Sequence, residues 1–144
     1  MTDRLWQPDP MSLTPEQDAF LHAGRVALFT TTKRDGSPQV TMVSYAWDGT
    51  DVVMSTRSPA AKWANLVRDP RCAVTVTDDL RCLTLYGRAE CISADPDRET
   101  LTRRVKDSLI PAHAKMLDDA LAQGLDNAKR VVVRVVPEQA IGRV

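Results

Sequence analysis

Two cations stand close together where an apolar run gives way to a helix signal. In Ser55-Thr56-Arg57-Ser58-Pro59-Ala60-Ala61-Lys62, hydroxyls and a guanidinium end a run of strand-forming residues. Ser58 and Pro59 carry the residue types that open a helix, which puts Lys62 in its first turn or so. The free N–H groups of a helix start attract anions. A guanidinium fork grips two phosphate oxygens, and a lysine adds a mobile point charge. A cation beside a helix N-terminus is unfavourable unless an anion joins it. By residue type alone, the same two cations also read as solvated charges on a surface helix.

Other groups say less. Thr30, Thr32, Thr41, Ser44 and Tyr45 alternate with apolar residues, so their hydroxyls could meet the edge of a polar heterocycle; threonine is also simply a good strand former. Trp63 reads as core packing. His22 and His113 are isolated and read as surface or helix-end residues. With two histidines and no short Cys-x-x-Cys spacing, no metal site is expected. Cys72, Cys82 and Cys91 read as reduced thiols inside strands. No catalytic side chain stands out, so any chemistry would belong mainly to a bound cofactor.

The elements that must position these groups follow from periodicity. Residues 1–12 read as a loose arm before one domain spanning 13–144. Thr14-Pro15-Glu16-Gln17 is a capping-box start for a helix ending near His22–Gly24. Short strands are expected at Val26–Thr32, Val40–Trp47, Val52–Thr56, Cys72–Thr77, Cys82–Ile92 and Arg130–Val136, with turns at Asp35-Gly36 and Asp48-Gly49. Tight turns between such strands require antiparallel pairing. A helix from Ser58-Pro59 to Asp69-Pro70 interrupts the sheet. Asp95-Pro96 caps an apolar stripe running from Leu101 to Ala120, which Pro111 kinks or divides. The last strand is apolar on both faces, so it is central or covered by a partner chain.

The 144 residues are 43% hydrophobic and 26% charged, the make-up of one globular domain. Nineteen basic residues balance nineteen acidic ones, and no basic stripe suits nucleic acid. The opening segment has no signal-peptide core, and no apolar run has membrane-spanning length. A cytoplasmic protein without nucleic-acid or membrane partners is expected.

Arg25–Thr32, Lys33-Arg34-Asp35-Gly36-Ser37-Pro38-Gln39-Val40, Thr56–Lys62 and Asn65-Leu66-Val67-Arg68-Asp69-Pro70 resemble, in this order, the pyridoxamine 5′-phosphate oxidase-like split-barrel flavoproteins. The resemblance extends to Leu83–Glu90 and the closing valine-rich strand. It implies a mainly β fold with helices, a six-stranded antiparallel split β-barrel, paired as a homodimer with cofactor sites between subunits. It also implies that Ser55, Thr56, Arg57, Ser58 and Lys62 hold a phosphate and that Val43 and Ser44 border a tricyclic ring. Thr75, Val76 and Thr77, with residues of the closing strand, would come from the partner subunit. The segment Lys62-Trp63-Ala64-Asn65-Leu66-Val67-Arg68-Asp69-Pro70 is similar to the actinobacterial branch that uses the deazaflavin F420. Oxidases of vitamin B6 carry a basic tail that is not found up to Gly142-Arg143-Val144, which turns the expectation away from that reaction. The resemblance therefore implies an F420-dependent oxidoreductase acting on a small conjugated or unsaturated acceptor. An FMN-dependent enzyme, or a non-catalytic carrier or sensor of flavin or deazaflavin, is the alternative.

Overall fold

The computed structural model describes residues 11–58 and 60–144. Helix α1 (Pro15–Ala23) leads into strands β1 (Val26–Thr32), β2 (Pro38–Ser44), β3 (Ala46–Trp47) and β4 (Val52–Arg57). Helix α2 (Ala61–Arg68) precedes β5 (Arg71–Asp78) and β6 (Arg81–Ile92). Helices α3 (Asp97–Asp107) and α4 (Pro111–Gln123) then lead to β7 (Arg130–Arg143). One antiparallel sheet runs β2-β1-β5-β6-β7-β4-β3 and curls into a half-barrel. Of the arm expected over residues 1–12, only Met11 and Ser12 are described, and Met11 packs against the core.

Seven strands replace the expected six because Tyr45 breaks the second run. Its hydroxyl donates to the Leu21 carbonyl at 2.6 Å inside the core, and its N–H bonds Arg25 instead of continuing the ladder. A buried phenol needs such a partner. Burial also pushes its pKa up to about 12. Ala46 and Trp47 then form a separate edge strand on β4. Trp47 is fixed by donating its indole N–H to Asp18 on α1 at 2.8 Å.

The two cores lie on opposite faces of the sheet. Inside the curl, Phe29, Met54, Val74, Leu83, Leu85, Val133 and Val135 meet Phe20 and Leu21 of α1 and Leu66 of α2. Trp63 packs against the same cluster, as its type suggests. Outside, Val53 of β4 and Val132 of β7 are covered by Leu101 and Val105 of α3 and Leu117 of α4. The two-faced valine strand is therefore central, between β6 and β4, and helices α3 and α4 cover Val132 on its outer face, while Val136 further along is exposed.

Thr14 caps α1 with the expected box: its side chain accepts from Gln17 N–H while the Gln17 side chain accepts from Thr14 N–H. Pro111 divides the third apolar stripe cleanly into α3 and α4. Asp95 does not cap α3, whose N-cap is Pro96; its carboxylate binds Arg98 instead. Strand β7 runs on to Arg143, well past the expected Val136. Its extension is paired with β6 across a bulge: Tyr86 faces Gln139 and Gly87 faces Pro137, so Glu138 is the extra residue. A side chain at Gly87 would strike the Val136 carbonyl, which explains the glycine there.

Candidate functional site

A cleft of about 320 Å³ lies between α4 and the ends of β2 and β4. Alternation decides what faces it. On β4, Val52 and Met54 turn into the curl, so Ser55 and Arg57 share the outward face with Val53. The register sets Arg57 directly across from Arg130 of β7. Lys62 arrives from the second position of α2. Arg57, Lys62 and Arg130 thus line one cleft, and among the described residues no carboxylate lines it with them. Among the described residues, none of the three is within salt-bridge distance of an acidic group.

Like charges opposite each other on a ladder are unfavourable. Burial, and then Arg130, lower the Lys62 pKa from its ordinary value; burial, and then Arg57, lower that of Arg130. Helix α2 adds to this positive end. Its N-cap is Ala60, which offers no side-chain acceptor. The N–H groups of Ala61 and Lys62 thus have no side-chain cap among the described residues, while Trp63 N–H bonds the Ala60 carbonyl at 3.1 Å. The helix begins at Ala61, later than the expected start at Ser58. Ser58 instead donates its N–H to the Lys129 carbonyl at 2.9 Å, and Pro59 lies outside the described residues.

The rest of the cleft is mostly apolar, walled by Met42, Val43, Val105, Leu109, Met116 and Leu117. Two polar features break that wall. Ser55 Oγ is fully buried on the lining and has no hydrogen-bond partner among the described residues. His113, in the first turn of α4, places Nδ1 3.0 Å from Ser44 Oγ. An unpartnered buried hydroxyl beside three converging cations is a donor set that can hold a phosphate.

The structure brings Val43, Ser44, Ser55, Thr56, Arg57 and Lys62 to one cleft. Ser58 falls in a neighbouring depression with Lys129 and Arg98, because its backbone ties β4 to the approach of β7. Thr75, Val76 and Thr77 line a separate hollow with Gly24–Leu28 and Met42. Met42 and Val26 belong to both hollows, so the two adjoin on the outer face of the sheet. Of the hydroxyls read as a possible heterocycle edge, only Ser44 reaches the cleft: Tyr45 is core, and Thr31, one residue from Thr30 and Thr32, is the buried one.

Arg130 belongs to the closing strand expected from the partner subunit, yet it lines the cleft of its own chain. His113, at the helix end where it is expected, lines the cleft as well. Arg130 hides at the start of a valine run and is revealed only by its register with Arg57. His113 is 69 residues from Ser44 in sequence, and no local pattern links them. The segment from Lys62 to Pro70 divides its work. Lys62 faces the cleft, whereas Asn65 is buried and donates to Thr31 and Gln39, clamping α2 on β1 and β2. Arg68 adds a bond to the Thr32 carbonyl at 2.7 Å. Much of that motif is thus scaffold for the one cation that it presents.

Such a half-barrel, with a cationic strand-to-helix junction beside an apolar cleft, defines a class. A family model described as pyridoxamine 5′-phosphate oxidase matches residues 13–143, and the chain belongs to that family. Among solved structures, a conserved hypothetical protein of Mycobacterium tuberculosis, Rv2991, superposes with a TM-score of 0.74 at 24% identity, over 95% of this chain and 88% of that one. An F420 reductase matches at 0.68 and 24% identity, over 90% and 98%. The haem storage protein HutZ of Vibrio cholerae matches at 0.72 and 17% identity, over 92% and 96%. Likenesses at these identities establish the fold.

Proposed function

We propose that this protein is an oxidoreductase that holds the deazaflavin F420, with FMN the alternative, and reduces a small conjugated organic acceptor. The observation that carries this reading is the cluster of Arg57, Lys62 and Arg130 in one cleft without a carboxylate, beside the orphaned Ser55 hydroxyl. Three like charges converge on one cleft, an arrangement that a bound anion relieves, so the fold favours a phosphate at this point. Arg57 and Arg130 supply planar forks, Lys62 a point charge, and the α2 N-terminus free N–H donors. Ser55 would donate its unpaired hydroxyl to the same ligand. Val43 and Met116 supply apolar walls that exclude water from a ring. Bound there, the cofactor supplies the hydride. The membership of an F420 reductase among the structural neighbours supports the choice of deazaflavin.

The shared site is also a proposal. Helices α3 and α4 cover Ala46, Val53, Ile92 and Val132 on the outer face. Across β2, β1 and the far end of β7, Met42, Val40, Leu28 and Ile141 remain exposed, Met42 by 71%. This surface is continuous with the cleft through Val26 and Met42. A second copy docked here would bury it and bring its Thr75–Thr77 hollow against the open side of the site. Sedimentation at micromolar concentration is expected to give twice the chain mass, and Met42→Asp to give the monomer. A wild-type monomer that binds cofactor overturns the shared site.

Fluorescence titration of the purified protein with F420 and with FMN tests the cofactor. Saturable F420 binding, weakened in Lys62→Ala, is the expected result. FMN binding without F420 binding overturns the deazaflavin assignment. Haemin binding with neither flavin nor F420 binding overturns the oxidoreductase reading altogether. A second reading is a carrier without catalysis; binding of F420 with no turnover of quinones or enones by the reduced form would select it.

A further inference from the structure

The phosphate end accounts for Arg57, Lys62, Arg130 and Ser55, but not for the one acid–base side chain on the cleft wall. His113 reaches Ser44 from a different element, and Nδ1 is held at 3.0 Å from the serine hydroxyl. Among the described residues Nε2 has no partner, so one ring nitrogen is fixed and the other is left open. When the Ser44 hydroxyl donates to Nδ1, the ring proton sits on Nε2, which becomes a hydrogen-bond donor. Met42, Leu109 and Met116 line the same cleft, and His113, like Met42 and Met116, is exposed at it. An oriented donor in such a wall recognises a lone acceptor atom on an otherwise apolar ligand.

Helix α4 fixes where this donor stands relative to the cations. Met116 is three residues after His113, on the same face, and its sulfur accepts from Arg130 Nη2 at 3.4 Å. One turn of α4 therefore spans the cleft from the Arg130 cation to the Ser44 hydroxyl. Charge is read at one position and a neutral polar atom at the other.

Resting on the oxidoreductase reading above, we propose that His113 is the acceptor-binding residue: its Nε2–H hydrogen-bonds the carbonyl oxygen of a flat, apolar, conjugated ketone. Ser44 is the positioning residue that holds the imidazole ring and its tautomer. The hydrogen bond orients the ketone and draws electron density toward its oxygen, which makes the conjugated carbon a better hydride acceptor. The substrate class is thus narrowed from any unsaturated molecule to one bearing a carbonyl. An anionic acceptor would instead compete for the cation cluster.

The test uses 1-tetralone and its carbonyl-free counterpart tetralin, inert probes that separate binding from turnover. Their affinities are measured on wild type, His113→Phe and His113→Gln, each with and without oxidised cofactor. Wild type is expected to prefer the ketone by about five- to tenfold, the worth of one neutral hydrogen bond. His113→Phe is expected to reduce that preference to within about twofold by weakening ketone binding alone; His113→Gln, which keeps a donor, is expected to retain part of it. Nitrogen-resolved NMR of the imidazole should show the Nε2 signal moving with tetralone and not with tetralin. Undiminished ketone preference in His113→Phe, or an Nε2 signal that ignores tetralone, overturns the proposal. Parallel F420 and FMN titrations of all three proteins separate a loss of cofactor binding from a loss of ketone preference. Failure of both cofactors to bind wild type would sink the oxidoreductase reading, while the ketone preference of the cofactor-free protein still decides the role of His113.

Discussion

Two arginine environments meet at the start of β7 and are built on opposite plans. Arg98 of α3 is 5% exposed, yet every part of its charge is answered. Its guanidinium donates to Asp95 at 2.8 and 3.0 Å, to Asp126 at 2.7 Å and, more distantly, to the Arg130 carbonyl. These carboxylates raise its pKa further above the arginine range. Arg130, whose carbonyl completes that knot, sends its own side chain the other way, toward Arg57 and Lys62. There no carboxylate answers, and its pKa is lowered. The fold thus closes one set of charges onto itself and leaves the other open. A charge satisfied internally holds elements together; a partly buried charge left unsatisfied costs stability unless a ligand supplies the counter-ion.

Substitutions at the two places should separate stability from binding. Arg98→Ala should have the largest effect, lowering stability by about 3 kcal/mol and the melting temperature by roughly 10 °C, as followed by calorimetry. A drop of only a degree or two would place the knot among inert surface pairs. Arg57→Ala should leave melting unchanged or slightly raised, yet weaken cofactor binding by roughly tenfold to a hundredfold in titration calorimetry. Equal losses of stability at both sites would erase the contrast. Arg130→Met, which keeps bulk while removing one like charge, should raise stability by roughly 0.5 kcal/mol and still weaken cofactor binding.

The smallest effect concerns pH. The Lys62 pKa lies below its ordinary 10.5 in the folded protein. Between the lowered and the ordinary value the unfolded chain holds more protons than the folded one, so stability rises with pH through that window. Denaturant titrations across the alkaline range should show this increment in wild type and lack it in Lys62→Met. Phosphate affinity should move oppositely, falling as Lys62 loses its proton, from a lower pH than an unperturbed lysine would give.

The legible parts of the molecule were those governed by local rules. The box at Thr14–Gln17, the break at Pro111 and the centrality of the valine strand rest on caps, proline geometry and alternation, all of which act over a few residues. The Lys62 and Arg57 pair was legible because strand and helix adjoin in sequence. Tyr45 was misread because its residue type suits a strand, while a carbonyl 24 residues away claims its hydroxyl. Tyr45→Phe should therefore cost about 1.5 kcal/mol, the loss of a buried hydrogen bond with an acceptor left behind, measurable by urea denaturation. Arg130 and His113 were missed for a similar reason. Register across β4 and β7 makes one a site residue, and the packing of α4 makes the other, and neither is written in its own neighbourhood.

The bulge at Glu138 acts as a phase break in the longest strand. Before it, the odd-numbered Val133 and Val135 turn into the curl; beyond it, the even-numbered Ala140 does so, while Ile141 is turned out. Strand β6 keeps a single parity throughout, with Leu83 and Leu85 inward and Cys91 on the same face. Without the extra residue, one end of β7 would have to present its faces inverted. The half that carries Arg130 and the half that carries the exposed Ile141 are thus separate modules joined in one ladder. Substitutions in the outer module can reshape the exposed surface without shifting the registration that sets Arg130 opposite Arg57.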